Sequence, residues 1–197
     1  MGNVLSGSMR DRLNHWGKLE YHDPAVILRR LRALEIEISG LKIDPQVLRL
    51  RTQELKKYRE WRDAAVFCYG IGLVQGWSIM YATEERSDYD FVTRWHVDTE
   101  TFFCPVQLKE LPPADLNPTV SIEQILRGSS KVVRKSSTVL AVKLNRRDQL
   151  DLTNIAIPSL PWQQLWFFWS MTPDASRWAL YGDAFNAPGQ FEFEYPE

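Results

Sequence analysis

Hydrophobic and polar positions follow two periods along the chain, and the period changes at about residue 77. Residues 23–38 predict a helix, because Asp23-Pro24 supplies an N-cap with a first-turn proline and apolar residues then recur at helical spacing. The same punctuation at 44–45 predicts the start of a longer helix, which glycines close somewhere past residue 69. These two helices are expected to form an antiparallel hairpin.

From Trp77 onward the apolar residues alternate with a period of two, which is typical of strands. The predicted strands are 77–83, 89–97, 101–111 and 138–144. Polar turns at 84–87 and 98–99 separate the first three, and a short helix capped by Ser121 precedes the fourth. The end of the chain predicts an apolar helix over 161–170, a strand over 177–185, and then an edge strand or poorly packed tail.

This order of elements predicts an α/β fold with a mixed central sheet flanked by helices and an N-terminal helical hairpin. Three antiparallel strands followed by a helical crossover give both strand directions in one sheet. The chain divides into a leader and first helix, residues 1–43, and an α/β domain, residues 44–197. We expect both to fold as one compact unit, because 197 residues suit a single domain.

Composition narrows the function classes. Hydrophobic residues make up 44% and charged residues 25%, which is ordinary for a chain that buries a core. The two cysteines are expected to be free thiols, and the three scattered histidines supply no zinc-ligand spacing. The chain carries no apolar run long enough for a membrane span and no secretory signal, so a cytoplasmic protein is predicted. Residues 1–6 match a short pattern for acylation of Gly2, and a disordered leader is the alternative.

Charge is distributed unevenly, although the formal net charge is only −1. Residues 64–126 carry nine acids and three bases, whereas residues 127–147 carry seven bases and no acid. An acid-free basic segment is either a solvated face or a surface for the phosphate backbone of a nucleic acid. The residues proposed to contact nucleic acid are Lys131, Arg134 and Lys135.

Polar residues on the second and third predicted strands supply the candidate chemistry. If these strands pair through the turn at 98–99, Asp90 lies directly opposite Gln107, about 5 Å away. Lys109 lies two residues further along and therefore on the same face as Gln107. A carboxylate and an amide oxygen can share one divalent cation, and a nearby lysine can neutralise charge on a phosphate.

The segments 87–91 and 106–110, read with their order of helix, three strands, helix and strand, resemble the PD-(D/E)XK nuclease superfamily. The resemblance covers residues 45–144 and implies a restriction-endonuclease-like core. It departs from the family pattern at Gln107, where an acid is usual, and at Tyr89, where a proline is usual. It also implies a further acid on the preceding helix, for which Glu60 is the candidate, with Glu54 and Asp63 as alternatives.

The function that this resemblance implies is hydrolysis of a nucleic-acid phosphodiester with Mg²⁺ or Mn²⁺, with DNA favoured over RNA as substrate. Asp90, Gln107 and Glu60 are the expected metal ligands, and Lys109 completes the catalytic set. Two alternatives stay open. The first is an inactive nuclease-fold module that binds nucleic acid or protein, and the second is an interaction protein that docks a partner on its helical hairpin. A homodimer is compatible with each of them.

Overall fold

The computed structural model describes residues 7–39, 56–84, 86, 89–129, 137–146, 152, 155, 157, 161–186 and 188–197. In this part of the chain the helices are α1 (Gly7–Trp16), α2 (Pro24–Ile38), α3 (Lys56–Gln75) and α4 (Ile122–Ser129). The strands are β1 (Met80–Thr83), β2 (Phe91–Val97), β3 (Glu100–Leu111), β4 (Val139–Leu144), β5 (Gln164–Ser170), β6 (Arg177–Gly182) and β7 (Gly189–Glu194).

The strands form one sheet in which each strand neighbours the one before it in sequence, from β1 to β7. The β3–β4 and β4–β5 pairs are parallel, and the remaining pairs are antiparallel. A parallel pair needs a connection that returns the chain to the same end of the sheet, and helix α4 lies in this connection between β3 and β4. The prediction of an α/β fold built on a mixed sheet with helices is therefore confirmed.

Both faces of the sheet are covered, and each face has its own hydrophobic core. On one side, which we call the α3 face, residues 64–68 of α3 and Leu28 of α2 pack on Phe91, Val106 and the facing residues of later strands. On the other side, the α4 face, Ile122 and Leu126 pack on Leu111, Leu140 and Val142. Strand β4 is buried at all six positions because it contributes to both cores.

Helix α1 forms a third, smaller cluster with the β2–β3 hairpin. Trp16 packs there with Tyr89, Val92 and Phe103. Val92 alternates with Phe91, whose side chain lies on the α3 face, so this α1 cluster lies on the α4 face. Two hydrophobic clusters therefore share the α4 face, one built around α1 and the other around α4.

Capping residues predicted from the sequence make the expected hydrogen bonds at the starts of α2 and α4. Asp23 Oδ1 accepts hydrogen bonds from the backbone of Ala25 at 2.8 Å and Val26 at 3.3 Å, and Pro24 occupies the first turn of α2. Ser121 and Gln124 form a reciprocal capping box at the start of α4. Helix α3 ends before Gly76, whose φ of +68° favours glycine. The predicted start at 44–45 lies outside the described residues, as does Gly40.

Other predictions for the β region need correction. The prediction of a helix over 161–170 is wrong, because Gln164–Ser170 forms strand β5. Its apolar run is buried on both faces between β4 and β6, and such a short run has no periodicity that separates strand from helix. The first strand begins at Met80 rather than at residue 77, and the sixth ends at Gly182. The C-terminal segment forms β7, an edge strand, which was one of the two alternatives.

Candidate functional site

Asp90 and Gln107 lie opposite each other at the start of the β2–β3 pairing. Phe91 pairs with Val106 and Val97 with Glu100, so the register is the one predicted from the turn at 98–99. The Gln107 side-chain amide donates a hydrogen bond to Asp90 Oδ2, and the backbone N–H of Leu108 donates to the same oxygen at 2.6 Å. Two residues 17 positions apart in sequence are thereby in direct contact on one face.

Lys109 lies on the same face as this pair. It is in register with Val142, as Gln107 is with Leu140, and both of these β4 residues belong to the core on the α4 face. Successive strand side chains alternate between faces, so Gln107 and Lys109 share that face as well. Asp90, Gln107 and Lys109 thus form a polar strip between the α1 cluster and the α4 cluster.

Hydrogen bonds hold the backbone of Asp90 on both sides. Its N–H donates to the carbonyl of Val106 at 2.9 Å, and its carbonyl accepts from the N–H of Glu84 at 3.3 Å. The first bond extends the β2–β3 ladder and the second closes the β1–β2 connection. Asp90 therefore sits on a rigid part of the sheet, which suits a side chain that must hold a fixed geometry.

A network anchored on α1 surrounds the residue before Asp90. The Tyr89 hydroxyl accepts a hydrogen bond from Trp16 Nε1 at 3.1 Å and donates to Glu84 Oε2 at 2.8 Å. Glu84 Oε1 lies 2.6 Å from both His15 Nε2 and Arg86 Nη2. Burial by itself would raise the pKa of Glu84, but these hydrogen bonds from His15, Arg86 and Tyr89 bring it below its usual value. Sequence reasoning missed this network, because α1 carries no strong apolar period.

Glu60 is not brought to Asp90. It lies on α3, which packs against the opposite face of the sheet, and its carboxylate pairs with Lys56 one helical turn away at 3.4 Å. Asp63, one of the alternatives, also belongs to α3 and is taken up by Lys143, whose Nζ lies 2.6 Å from Asp63 Oδ1. The other alternative, Glu54, lies outside the described residues.

The basic residues proposed to contact nucleic acid, Lys131, Arg134 and Lys135, also lie outside the described residues. Three bases of the same segment are described: Arg127 on α4 is exposed, whereas the other two do not belong to a solvated face. Lys143 is buried with Asp63, and each side chain is only 4% exposed. Arg146 donates to the backbone carbonyls of Pro112, Asn117 and Val120 at 2.7–3.0 Å. These two cations therefore have structural partners inside the fold.

Other residue classes supply little further chemistry. Within the described ranges, no three His, Cys, Asp or Glu side chains come together as a metal site. Cys68 and Cys104 are free, as predicted, and burial raises the pKa of Cys104 to about 12, which keeps its thiol protonated at neutral pH. None of the helices that the structure describes has the length and apolar character needed to cross a membrane.

Comparison with known proteins gives no relative. No family model, no curated protein and no solved structure matches this chain.

Proposed function

We propose that this protein is a nuclease that hydrolyses phosphodiester bonds of nucleic acid, preferentially DNA, with Mg²⁺ or Mn²⁺. The observation that carries the proposal is the direct opposition of Asp90 and Gln107, with Lys109 on the same face of the sheet. The PD-(D/E)XK pattern that these residues resemble requires this arrangement on two neighbouring strands. A placement of Asp90 and Lys109 on opposite faces would have excluded it.

The residues present fit a hard divalent cation with few protein ligands. Asp90 offers carboxylate oxygen and Gln107 offers an amide oxygen, and Mg²⁺ commonly takes one or two such ligands while keeping several waters. Glu60 is left out of this donor set because α3 covers the opposite face. When bound, the cation would supply Lewis acidity and lower the pKa of a water. With one carboxylate, affinity is expected to be modest and to favour Mn²⁺ over Mg²⁺.

The roles of the chain's own residues follow from their chemistry. Asp90 supplies the negative charge that holds the cation, and its position is fixed by the backbone hydrogen bonds to Val106 and Glu84. Lys109 brings an ammonium to the same face, where it stabilises the negative charge that develops on the phosphate. Gln107 lies between them and orients the Asp90 carboxylate through its amide.

The test measures cleavage and metal binding in parallel for four versions of the full chain: wild type, Asp90→Asn, Lys109→Ala and Glu60→Gln. Cleavage of plasmid DNA and of labelled DNA and RNA oligonucleotides is followed with Mg²⁺ and with Mn²⁺. The change of Tm with each metal reports binding to the folded state. Glu60→Gln is the matched control, because it removes one carboxylate from the other face of the sheet.

We expect Asp90→Asn to lose both cleavage and the metal-dependent rise in Tm. Lys109→Ala should lose cleavage and keep that rise, whereas Glu60→Gln should keep both. Equal cleavage by wild type and the Asp90 and Lys109 variants would refute the proposal. So would the absence of both cleavage and metal-dependent stabilisation in the wild type.

A second candidate is an inactive module of the same fold that binds nucleic acid or protein. One observation favours it: Asp90 Oδ2 already accepts hydrogen bonds from the Gln107 amide and from Leu108 N–H, which ties β2 to β3 without a metal. A purely structural Asp90 predicts that Asp90→Asn lowers Tm equally with and without metal. The experiment above separates the two candidates, because only the nuclease predicts a difference between those conditions.

A further inference from the structure

Arg94 is a cation held in a fixed position on the same face as the candidate site. It follows Asp90 by four residues along β2 and pairs with Phe103 of β3, so its side chain shares the α4 face with Val92 and Asp90. Its guanidinium carbon lies 4.2 Å from the centre of the Tyr21 ring. Tyr21 is itself fixed, since its hydroxyl donates to the carbonyl of Trp16 at 3.0 Å.

No acid balances Arg94 in the part of the chain that the structure describes. Among the described residues, no carboxylate lies within ion-pairing distance of its guanidinium, and its buried Nε has no hydrogen-bond partner. The nearby Glu84 carboxylate is occupied by His15, Arg86 and Tyr89. A partly buried arginine without a partner is costly, because it gives up part of its hydration without gaining a charged hydrogen bond. The buried Nε is closed to solvent, so an external anion would bind the other guanidinium nitrogens of this half-buried side chain.

The surroundings of Arg94 already carry positive charge. The guanidinium of Arg12 lies 5.4 Å from the ring centre of Trp16 and 5.8 Å from that of Tyr89, on the same α1 cluster. Lys109 adds an ammonium on this face beyond Asp90, six residues along β3 from the partner of Arg94 and roughly 20 Å from it. Contact with a ring limits the positions that a guanidinium can adopt, and arginine binds phosphate oxygens through the donors in the guanidinium plane.

We propose that Arg94 contacts the phosphate backbone of nucleic acid and, with Arg12, extends the substrate surface from Asp90 towards α1. The identity of the anion rests on the proposed function, since nucleic acid is the substrate assigned to Asp90. Four strand residues span roughly 13 Å, and phosphates of one DNA strand succeed each other every 3.4 Å or so along the axis. Arg94 therefore lies close enough to Asp90 for one duplex of moderate length to contact both residues.

The experiment measures binding without cleavage, by fluorescence anisotropy of a labelled DNA duplex of about 20 base pairs in EDTA, with the full chain, from about 50 to 200 mM NaCl. Arg94→Gln is compared with Arg177→Gln, which makes the same change in charge. Arg177 lies four strands away on β6 and pairs with Glu192 at 2.6 Å. Arg94→Met keeps an apolar stem against Tyr21 as a second neutral variant, and Arg94→Lys keeps the charge.

We expect both neutral variants at Arg94 to weaken binding and to lower the slope of log K against log salt by about 0.9, the value for one lost contact on duplex DNA. Arg94→Lys should retain most of the slope, and Arg177→Gln all of it. Equal slopes for the variants at Arg94 and Arg177 would overturn the inference, as would a wild type that does not bind the duplex. Thermal melts confirm that each variant is folded.

The two proposals can fail independently. Cleavage at the wild-type rate by Arg94→Gln, with an unchanged salt slope, would remove the role of Arg94 and leave the nuclease at Asp90 intact. Binding that depends on Arg94, in a wild type that cleaves no nucleic acid, would keep the phosphate contact and favour the inactive module.

Discussion

The buried ion pair between Asp63 of α3 and Lys143 of β4 gives a sharp prediction about stability. The two charged atoms are 2.6 Å apart, each side chain is 4% exposed, and the pair joins α3 to the central strand of the sheet. Burial lowers the pKa of Lys143 below its usual value, and the Asp63 carboxylate opposes that shift. Removing the carboxylate leaves an ammonium in the core without its counter-charge.

Asp63→Asn is therefore expected to lower the free energy of unfolding by about 3–5 kcal/mol, the usual loss when one partner of a buried pair is removed. Lys143→Met should cost less, because Arg62 Nε, at 3.8 Å, still faces the Asp63 carboxylate. Replacing both partners, by Leu at 63 and Met at 143, should return the unfolding free energy close to that of the wild type. With Asp63→Leu added as the matching single variant, the cycle should give a coupling energy of about 3 kcal/mol or more.

Urea unfolding followed by tryptophan fluorescence measures these values, and the exposed pair of Lys56 and Glu60 is the control. Its side chains are 48% and 40% exposed, so Glu60→Gln should change the unfolding free energy by less than about 1 kcal/mol. In Asp63→Asn the folded pKa of Lys143 lies below its unfolded value of 10.5. At pH values between these two pKa values the unfolded chain binds more protons than the folded chain, so stability rises with pH. Single variants within about 0.5 kcal/mol of wild type would refute the reasoning.

Three further predictions concern other parts of the fold. Glu84→Gln should reduce the fall of Tm on acidification below about pH 4.5. The pKa of Glu84 is lower in the folded than in the unfolded protein, so the ionised carboxylate stabilises the fold above its unfolded pKa, and this stability is lost as pH falls. The same fall of Tm in wild type and variant, in a pH series of thermal melts, would contradict this. Gly70→Ala should lower the free energy of unfolding in urea by about 1–3 kcal/mol, since an added Cβ would lie 2.6 Å from side-chain atoms of Leu180 and Phe193. Gly128→Ala is the control: its Cβ would meet no atom within 4 Å, so it should stabilise α4 by about 0.5–1 kcal/mol. The reverse order of stability would refute the packing argument. Ser121→Ala should cost about 1 kcal/mol in the same assay through loss of the cap on α4, and wild-type stability would show that the capping box contributes nothing.

The opposition of Asp90 and Gln107 and the first half of the sheet could be predicted because their information is local. A turn at 98–99 fixes the pairing of the strands on either side, and the alternation of side chains then puts Asp90 against Gln107 without any knowledge of the rest. The start of α2 was equally predictable, since Asp23 and Pro24 act through their own backbone. Each of these predictions depends on neighbours in sequence or on one hairpin.

The rest depends on contacts between distant segments, which a single sequence does not reveal. Lys143 looks like one base among seven in an acid-free segment, yet its partner Asp63 lies 80 residues away. Strand β5 is apolar on both faces because helices cover both faces, so its period is lost. The position of the Arg94 guanidinium is set by Tyr21, a residue that precedes the first predicted helix, and no local pattern predicts this contact.

The sequential order of the strands bears on how the protein is made. Because every strand pairs with its predecessor, each new strand emerging during synthesis finds its partner already in place, and the sheet can grow in the direction of translation. Helix α2 is the exception. Its Leu28 carbonyl accepts a hydrogen bond from the Tyr195 hydroxyl, 167 residues later, and its Arg29 side chain donates to the backbone carbonyl of Glu197. These two contacts on the α3 face therefore form only after residues 195–197 have been synthesised, and a chain that stalls before Tyr195 lacks both of them.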